Sequence, residues 1–384
     1  MRFEFATAAR IIFGDGTIQQ AAPLAAEMGR RAFLITDNVA ERAGPLLERL
    51  SEHGIECVTF EVQCEPTTTI VKAGTAQARR AESDLVVGIG GGSVIDTGKA
   101  VAAMLTNPGE LEDYLEVVGR GEPLKQRPAP CIAIPTTAGT GAEVTRNAVL
   151  GVPEHGVKVS MRSPLMLPRL AVVDPELTYS MPPSVTASTG LDALTQLMEA
   201  YVSNAANPLT DGICREGMKR AAASLRQACE DGGNRAAREG MALASLFGGL
   251  ALANARLGAV HGFAGPLGGM ISAPHGVICA RLLPYVMQAN VKALQSRAAD
   301  SLALGRYDEI ARLLTGIPTA RAQEGVVWVQ NLCEALKVPG LAEFGLEEHD
   351  LPAAVAKSQK ASSMKGNPIT LTADELTAIL KKAL

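Results

Sequence analysis

A large excess of charge of either sign is missing from this 384-residue chain. Thirty-six Lys and Arg stand against 40 Asp and Glu, a formal net charge of −4, with both signs interspersed. Nothing in that balance suggests a nucleic-acid surface. No apolar run reaches membrane-spanning length. The opening residues, MRFEFATAARIIFG, lack the long apolar core and small-residue cleavage site of a signal peptide, so a cytoplasmic protein is expected. Internal repeats and low-complexity segments are absent. The cysteines, at 57, 64, 131, 214, 229, 279 and 333, include no C-x-x-C pair. An odd, scattered set fits reduced thiols that serve mostly as small core residues. Histidine is scarce, five in all, so each position is informative.

What is present is apolar: 47% of the chain, enough for a large core, in a length that suggests two domains. The first half alternates. RRAFLITD (30–37), IECVTFEV, DLVVGIG and APCIAIP read as strands. ERAGPLLERLSEHG, VKAGTAQARRAES and SVIDTGKAVAAML read as helices between them. Short β-branched runs separated by amphipathic helices predict βαβ units and a mostly parallel sheet. VKVSM (157–161) and RLAVVDP (169–175) add two further strands, expected to close this domain. From Pro182 onward no segment reads as a strand. TASTGLDALTQLMEAYVS, LTDGICREGMKRAAASLRQACE, NRAAREGMALASLFGGLALANA and GVICARLLPYVMQANVKAL carry apolar residues at helical spacing. The expected architecture is an α/β domain over 1–180 and an all-helical domain over 181–384, with ligand chemistry in a cleft between them.

The segment DLVVGIGGGSVIDTGKA, residues 84–100, runs from a strand through glycines into a helix. It is not a P-loop: five residues separate Gly92 from Gly98, and Ala100 follows Lys99. It is not a Rossmann fingerprint either, because Ser93 takes the last glycine slot of the G-x-G-x-x-G pattern. The physical device is nevertheless shared. Glycines admit a ligand close to the backbone, and helix N-terminal N–H groups favour an anion. The plainer reading is a tight strand-to-helix turn without a ligand.

Of the histidines, His53 ends a helix, His349 lies in an acidic surface stretch and His155 sits in a turn. His261, in GAVHGFAGPLGG, and His275, in SAPHGVICA, are bracketed instead by small and apolar residues. Asp192 and Gln196, in GLDALTQLMEAYVS, are four apart and share one helix face among leucines. An ionised Asp buried there is costly unless it is paired or bound to a metal. Asp192, His261 and His275 would make a two-His-one-carboxylate set suited to divalent iron. An Asp–His structural network fits the same spacing.

Taken together and in this order, these segments resemble the iron-containing (group III) alcohol dehydrogenase family, which has the dehydroquinate-synthase-like fold. The resemblance runs through RIIFGDG, GGGSVIDTGKA, PTTAGTGAEVT, VDPELT, GLDALT, AVHGFAGPLGG, PHGVICARLLP and GNPITLT, essentially the whole chain. It implies that the first domain binds a nicotinamide dinucleotide, NAD. Gly91, Gly92 and Ser93 would hold its pyrophosphate, with Asp96 near the nicotinamide end. Thr136, Thr137 and Thr140 would line the cofactor. Lys158 would reach a ribose, Leu177 would pack at the adenine side, and Asp37 would meet the adenosine ribose. The family's metal ligands are an Asp, a His four residues later, and two more His. Asp192, His261 and His275 match three of them, and Gln196 occupies the fourth position as a neutral, weaker donor. A further family histidine, beside the substrate, is Gly265 here, and Cys279 stands where Asn is common.

The resemblance therefore implies an NAD-dependent dehydrogenase of a primary or short-chain alcohol, or a reductase of the matching aldehyde. Divalent iron, or zinc, would act as the Lewis acid at Asp192, Gln196, His261 and His275. It also implies a homodimer whose partner is a small-molecule substrate, with no nucleic acid and no membrane involved. Two rivals share the fold. One is a metal-independent NADH-dependent reductase of the maleylacetate reductase type, whose relatives have lost the aspartate. The other is a dehydroquinate-synthase-like lyase.

Overall fold

The computed structural model describes residues 2–384. The chain divides into two compact units: Ala6–Thr137 with Gly141–Tyr179, and Ala138–Thr140 with Ser180–Leu384.

The first unit is α/β. Its elements are β1 (Ile11–Phe13), α1 (Ala21–Ala26), β2 (Arg31–Thr36), α2 (Gly44–Glu52), β3 (Glu56–Glu61), α3 (Thr68–Arg80), β4 (Leu85–Gly90), α4 (Gly92–Thr106), β5 (Cys131–Pro135), β6 (Asn147–Val152), β7 (Val157–Arg162) and β8 (Leu170–Val173). Six strands form one sheet in the order β1-β8-β5-β4-β2-β3, every pair parallel. Parallel strands buried on both faces need continuous apolar runs, and β2 and β4 have them. Phe33, Ile35 and Val86 enter one core layer, while Ala32, Leu34, Leu85, Val87 and Ile89 enter the other. One expectation is corrected. VKVSM does not join this sheet: as β7 it pairs antiparallel with β6 in a separate two-stranded ribbon. The link between β6 and β7 is short and ends in Gly156 at φ +56°, so the chain folds straight back on itself as a hairpin.

The second unit is helical: α5 (Pro183–Val202), α6 (Pro208–Glu230), α7 (Arg235–Asn254), α8 (Ala259–Gly268), α9 (His275–Arg297), α10 (Leu302–Thr315), α11 (Ala322–Ala335), α12 (Leu351–Ser358) and α13 (Ala373–Ala383). No strand occurs in it among the described residues. Helix α5 is its axis, with every residue from Gly190 to Val202 buried. Polar groups placed on that stretch must find partners inside the protein. No single helix of the chain is long and apolar enough to cross a membrane.

Candidate metal and nucleotide sites

In the helical unit, three helices bring four side chains together. Asp192 lies mid-way along α5, His261 in the first turn of α8, and His275 opens α9 with Cys279 one turn later. One ligand atom from each of Asp192, His261, His275 and Cys279 lies within 4.8 Å of the other three. His261 Nε2 is 3.3 Å from Asp192 Oδ1, and His275 Nε2 is 3.8 Å from the same oxygen. Cys279 Sγ is 3.8 Å from His261 Nε2 and 3.6 Å from His275 Nε2. Gly276 makes this possible. A Cβ on it would fall 2.7 Å from the Ser188 carbonyl oxygen, so only glycine lets the first turn of α9 press against α5.

Helix α8 is an unpromising helix by composition, with three glycines and Pro266 in ten residues. Its opening N–H groups are instead tied down from outside. Ala259 N donates to Asn367 Oδ1 (3.1 Å) and Val260 N to Glu199 Oε1 (2.7 Å). His261 N reaches Glu199 Oε2 at 3.4 Å. That same carboxylate oxygen lies 2.7 Å from His261 Nδ1. A carboxylate only accepts, so Nδ1 carries the hydrogen and Nε2 is turned toward Asp192. Neither Glu199 nor Asn367 stands out in the sequence. Each acts on a residue far along the chain, although Asn367 belongs to the GNPITLT segment.

Electrostatics bind the cluster together. Burial alone would lower the pKa of both rings, but the facing Cys279 and Asp192 outweigh it. His275 is pushed up to about 9, and His261 is held well above the ordinary imidazole range, with Glu199 contributing. Burial would raise the Asp192 carboxyl, yet the facing His275 and His261 hold it below the usual carboxylate range.

The donor set fits a divalent metal. Asp192 Oδ1 is buried and makes no hydrogen bond, which is costly for a carboxylate oxygen and natural for a ligand atom. Gln196, one turn beyond Asp192, points its amide nitrogen at Asp192 Oδ2 (3.4 Å), and its own Oε1 is buried without a hydrogen bond. A Cβ added at Gly265 would meet nothing within 4 Å, so open space stands where the resemblance places a second imidazole. His53, His155 and His349 are exposed, as their sequence contexts suggest.

In the α/β unit, the predicted nucleotide residues gather at one end of the sheet. Pairing places Thr36 of β2 level with Ile89 of β4, and Gly90 of β4 level with Pro135 of β5. Asp37, Gly91 and Thr136 therefore leave three adjacent strands at the same edge. The chain reverses its direction across the sheet between β2 and β4, which is where open α/β sheets hold ligands. Helix α4 starts at Gly92, with Gly91 as its N-cap and no side chain capping it, a ready anion site. Gly90 is obligatory, because a Cβ there would sit 2.6 Å from Val94 Cγ2. Ser93 follows in the first turn, and Thr137 packs its methyl 3.4 Å from where a Gly91 Cβ would lie. Thr136 Oγ1 is buried without a hydrogen-bond partner.

The other residues of the predicted set have protein partners. Asp37 pairs with Arg42 (3.0 Å). The helical cap beside it is Asn38, whose side chain accepts from Glu41 N, so Asp37 is not the cap. Asp96 pairs with Lys99 (2.8 Å) and accepts from Val149 N. Lys158 pairs with Glu65. Leu177 packs against the core layer containing Leu34 and Val87. Thr140 belongs to the helical unit.

Comparison with known proteins settles the family. Residues 8–175 match the iron-containing alcohol dehydrogenase profile, and residues 186–384 match the profile of the C-terminal domain of that family. The chain belongs to the iron-containing alcohol dehydrogenase family. It is 38% identical to 1,3-propanediol dehydrogenase of Klebsiella pneumoniae over 92% of both chains. A crystal structure of a 1,3-propanediol oxidoreductase superimposes with a TM-score of 0.91 at 35% identity, covering 100% of both chains. Sulfoacetaldehyde reductase from Bifidobacterium kashiwanohense, solved in complex with NAD+, gives 0.87 at 30% identity, covering 100% of this chain and 99% of that one. As a member of the iron-containing alcohol dehydrogenase family, the chain is an oxidoreductase acting on CH–OH groups.

Proposed function

We propose that the chain is an NAD-dependent, metal-dependent dehydrogenase of primary or short-chain alcohols, working also as a reductase of the matching aldehydes. The observation that carries this reading is the convergence of Asp192, His261 and His275, with a buried carboxylate oxygen left without a hydrogen bond at their centre. Asp192, His261 and His275 would hold divalent iron or zinc, with Gln196 beside them. When bound, the metal supplies Lewis acidity to a substrate oxygen, and NAD supplies the hydride acceptor.

The protein's own part is preorganisation. Glu199 fixes the tautomer and direction of His261. Gly276 seats His275 against α5. The leucine-lined burial of Asp192 keeps bulk water from its carboxylate. In the α/β unit, Gly91, Gly92 and Ser93 offer helix N-terminal N–H groups to the pyrophosphate, and Thr136 offers a buried hydroxyl beside them. Thr137, Thr140, Asp96, Lys158 and Leu177 complete the proposed cofactor set, and Asp37 accepts from the adenosine ribose. The protein works in the cytoplasm as a homodimer.

The test is protein purified anaerobically, its metal content read by mass spectrometry and its NADH formation followed over a panel of alcohols. Metal-dependent NADH production is expected. Full activity after chelation, with no metal detected, would replace this reading with a metal-free reductase. Absence of net NADH formation from any alcohol would favour the lyase.

A further inference from the structure

The family's ligand pattern is broken at Gln196, a neutral amide that turns its nitrogen, not its oxygen, toward Asp192. A site that has lost an imidazole at that point still presents four donors, because Cys279 has entered the cluster. The thiol is fully buried, lies on α9 one turn from His275, and faces both ring nitrogens.

The separations decide what this thiol is placed to do. Donors sharing one tetrahedral ion, at about 2.3 Å for sulfur and about 2.0–2.1 Å for nitrogen or oxygen, stand about 3.3–3.6 Å apart. Here the sulfur-to-nitrogen distances are 3.6 and 3.8 Å, and the nitrogen-to-oxygen distances are 3.3 and 3.8 Å. The 3.3 and 3.6 Å separations fall within that range and the two of 3.8 Å lie just beyond it, so a small inward movement of the side chains would seat one shared ion. The orphaned Asp192 Oδ1, itself fully buried, points into the same space.

We infer that Cys279 is the fourth metal ligand of this enzyme, a thiolate replacing the imidazole missing at Gln196. The inference rests on the metal-dependent reading above. Coordination exchanges the S–H bond for a sulfur–metal bond; the proton leaves to solvent and no electron moves. Gln196 then serves as a hydrogen-bond donor to the outer oxygen of Asp192. A sulfur donor also shifts selectivity from iron toward zinc, because thiolate is the softer ligand.

The experiment loads the full-length protein with Co(II) and records its absorption. Thiolate-to-Co(II) charge transfer in the near ultraviolet is expected in the wild type and absent in Cys279→Ser. Removing one donor is expected to weaken zinc binding by ~10–100-fold, if outer-shell losses are a fair guide to the scale. Adding Gln196→His to the Cys279→Ser protein is expected to restore affinity without restoring the band. With iron and zinc offered together, the retained zinc-to-iron ratio is expected to fall in Cys279→Ser.

Stoichiometric Co(II) in the wild type with no charge-transfer band would overturn the inference and leave the metal-dependent reading standing. A wild type that retains no metal of any kind would overturn both. Should the serine variant fail to fold, the wild-type spectrum alone decides the point.

Discussion

Two buried charges, one in each unit, are handled in opposite ways. Lys99 in α4 is fully buried and surrounded by acceptors. Its ammonium donates to Ala142 O (2.9 Å), Thr145 Oγ1 (2.9 Å) and Asn147 O, with Asp96 paired at 2.8 Å. Asp192 in α5 is as deeply buried, yet its Oδ1 has no hydrogen bond and two imidazoles stand around it. A buried charge whose partners are complete is scaffold: here it ties the first helix after the glycine loop to the segment leading into β6. A buried charge left without a hydrogen bond, with other donor atoms aimed at the same point, is arranged as a candidate binding site. Sequence alone does not separate the two cases. Both are single charged residues among small and apolar neighbours.

Substitutions at these two places are expected to fail differently. The largest effect belongs to the incomplete charge. His275→Ala is expected to abolish metal retention and turnover while leaving the thermal midpoint nearly unchanged, because the His275 side chain is 37% exposed. A matching large drop in the midpoint would show that the cluster is a structural network. Lys99→Met is expected to do the reverse. It strands Asp96 and three acceptors, and breaking a buried pair in this way costs about 3–5 kcal/mol, measurable by urea unfolding of the apo protein.

Near Lys99, burial pushes the Glu143 carboxyl up to about 7 from an ordinary 4.5, against the opposing pull of its own backbone and of Lys99. The native state therefore holds a proton that the unfolded state has released, and folding takes up a proton between these two values. Stability falls as pH rises through that window. Glu143→Gln is expected to remove this slope and to gain up to about 3 kcal/mol above pH 7, seen as a flatter plot of unfolding free energy against pH. A slope unchanged by the substitution would place the titration elsewhere.

The smallest expected effect concerns cofactor choice. In its proposed role Asp37 would accept from the adenosine ribose and repel a 2′-phosphate, so a preference for NAD is expected. Its pairing with Arg42 sharpens the test. Asp37→Gly releases a guanidinium able to grip a 2′-phosphate, so the NAD/NADP ratio of kcat/KM is expected to shift by roughly 10–100-fold, the worth of one charge-assisted contact. The double variant Asp37→Gly, Arg42→Ala is expected to shift it less. Equal shifts in the two proteins would remove Arg42 from the argument.

Much of this was legible beforehand, and the exceptions share a cause. The continuous apolar runs of β2, β4 and β5, and the helical periodicity of α5 to α7, carry their own signal. The ribbon formed by β6 and β7 does not. A short strand interrupted by Gly151 gives little pattern, and nothing local says which sheet a strand will join. Helix α8 is invisible to propensity, because Glu199 of α5 and Asn367, in the segment before α13, hold it from outside. Asp192, His261 and His275 stood out as rare polar residues in apolar surroundings, whereas Cys279 stood out only as a residue standing where Asn is common, with no ligand role. Its signal was the four-residue step from His275, repeating the step from Asp192 to Gln196, and it counts only once both segments are known to be helical.

Glu199 grips the ring of His261 and the opening amides of α8 with one carboxylate, so an ion bound at His261 would be coupled to the winding of that helix. A segment with this much glycine has little of its own to keep it closed. An ion seated on His261 would hold the ring against Glu199 and, through it, the first turn of the helix. Amide hydrogen exchange at Val260 and His261 is then expected to slow on metal loading, with α6 and α11 unaffected. An ion bound there would act as a pin for the helix that carries one of its proposed ligands, and metal loss would then cost the enzyme local order as well as chemistry.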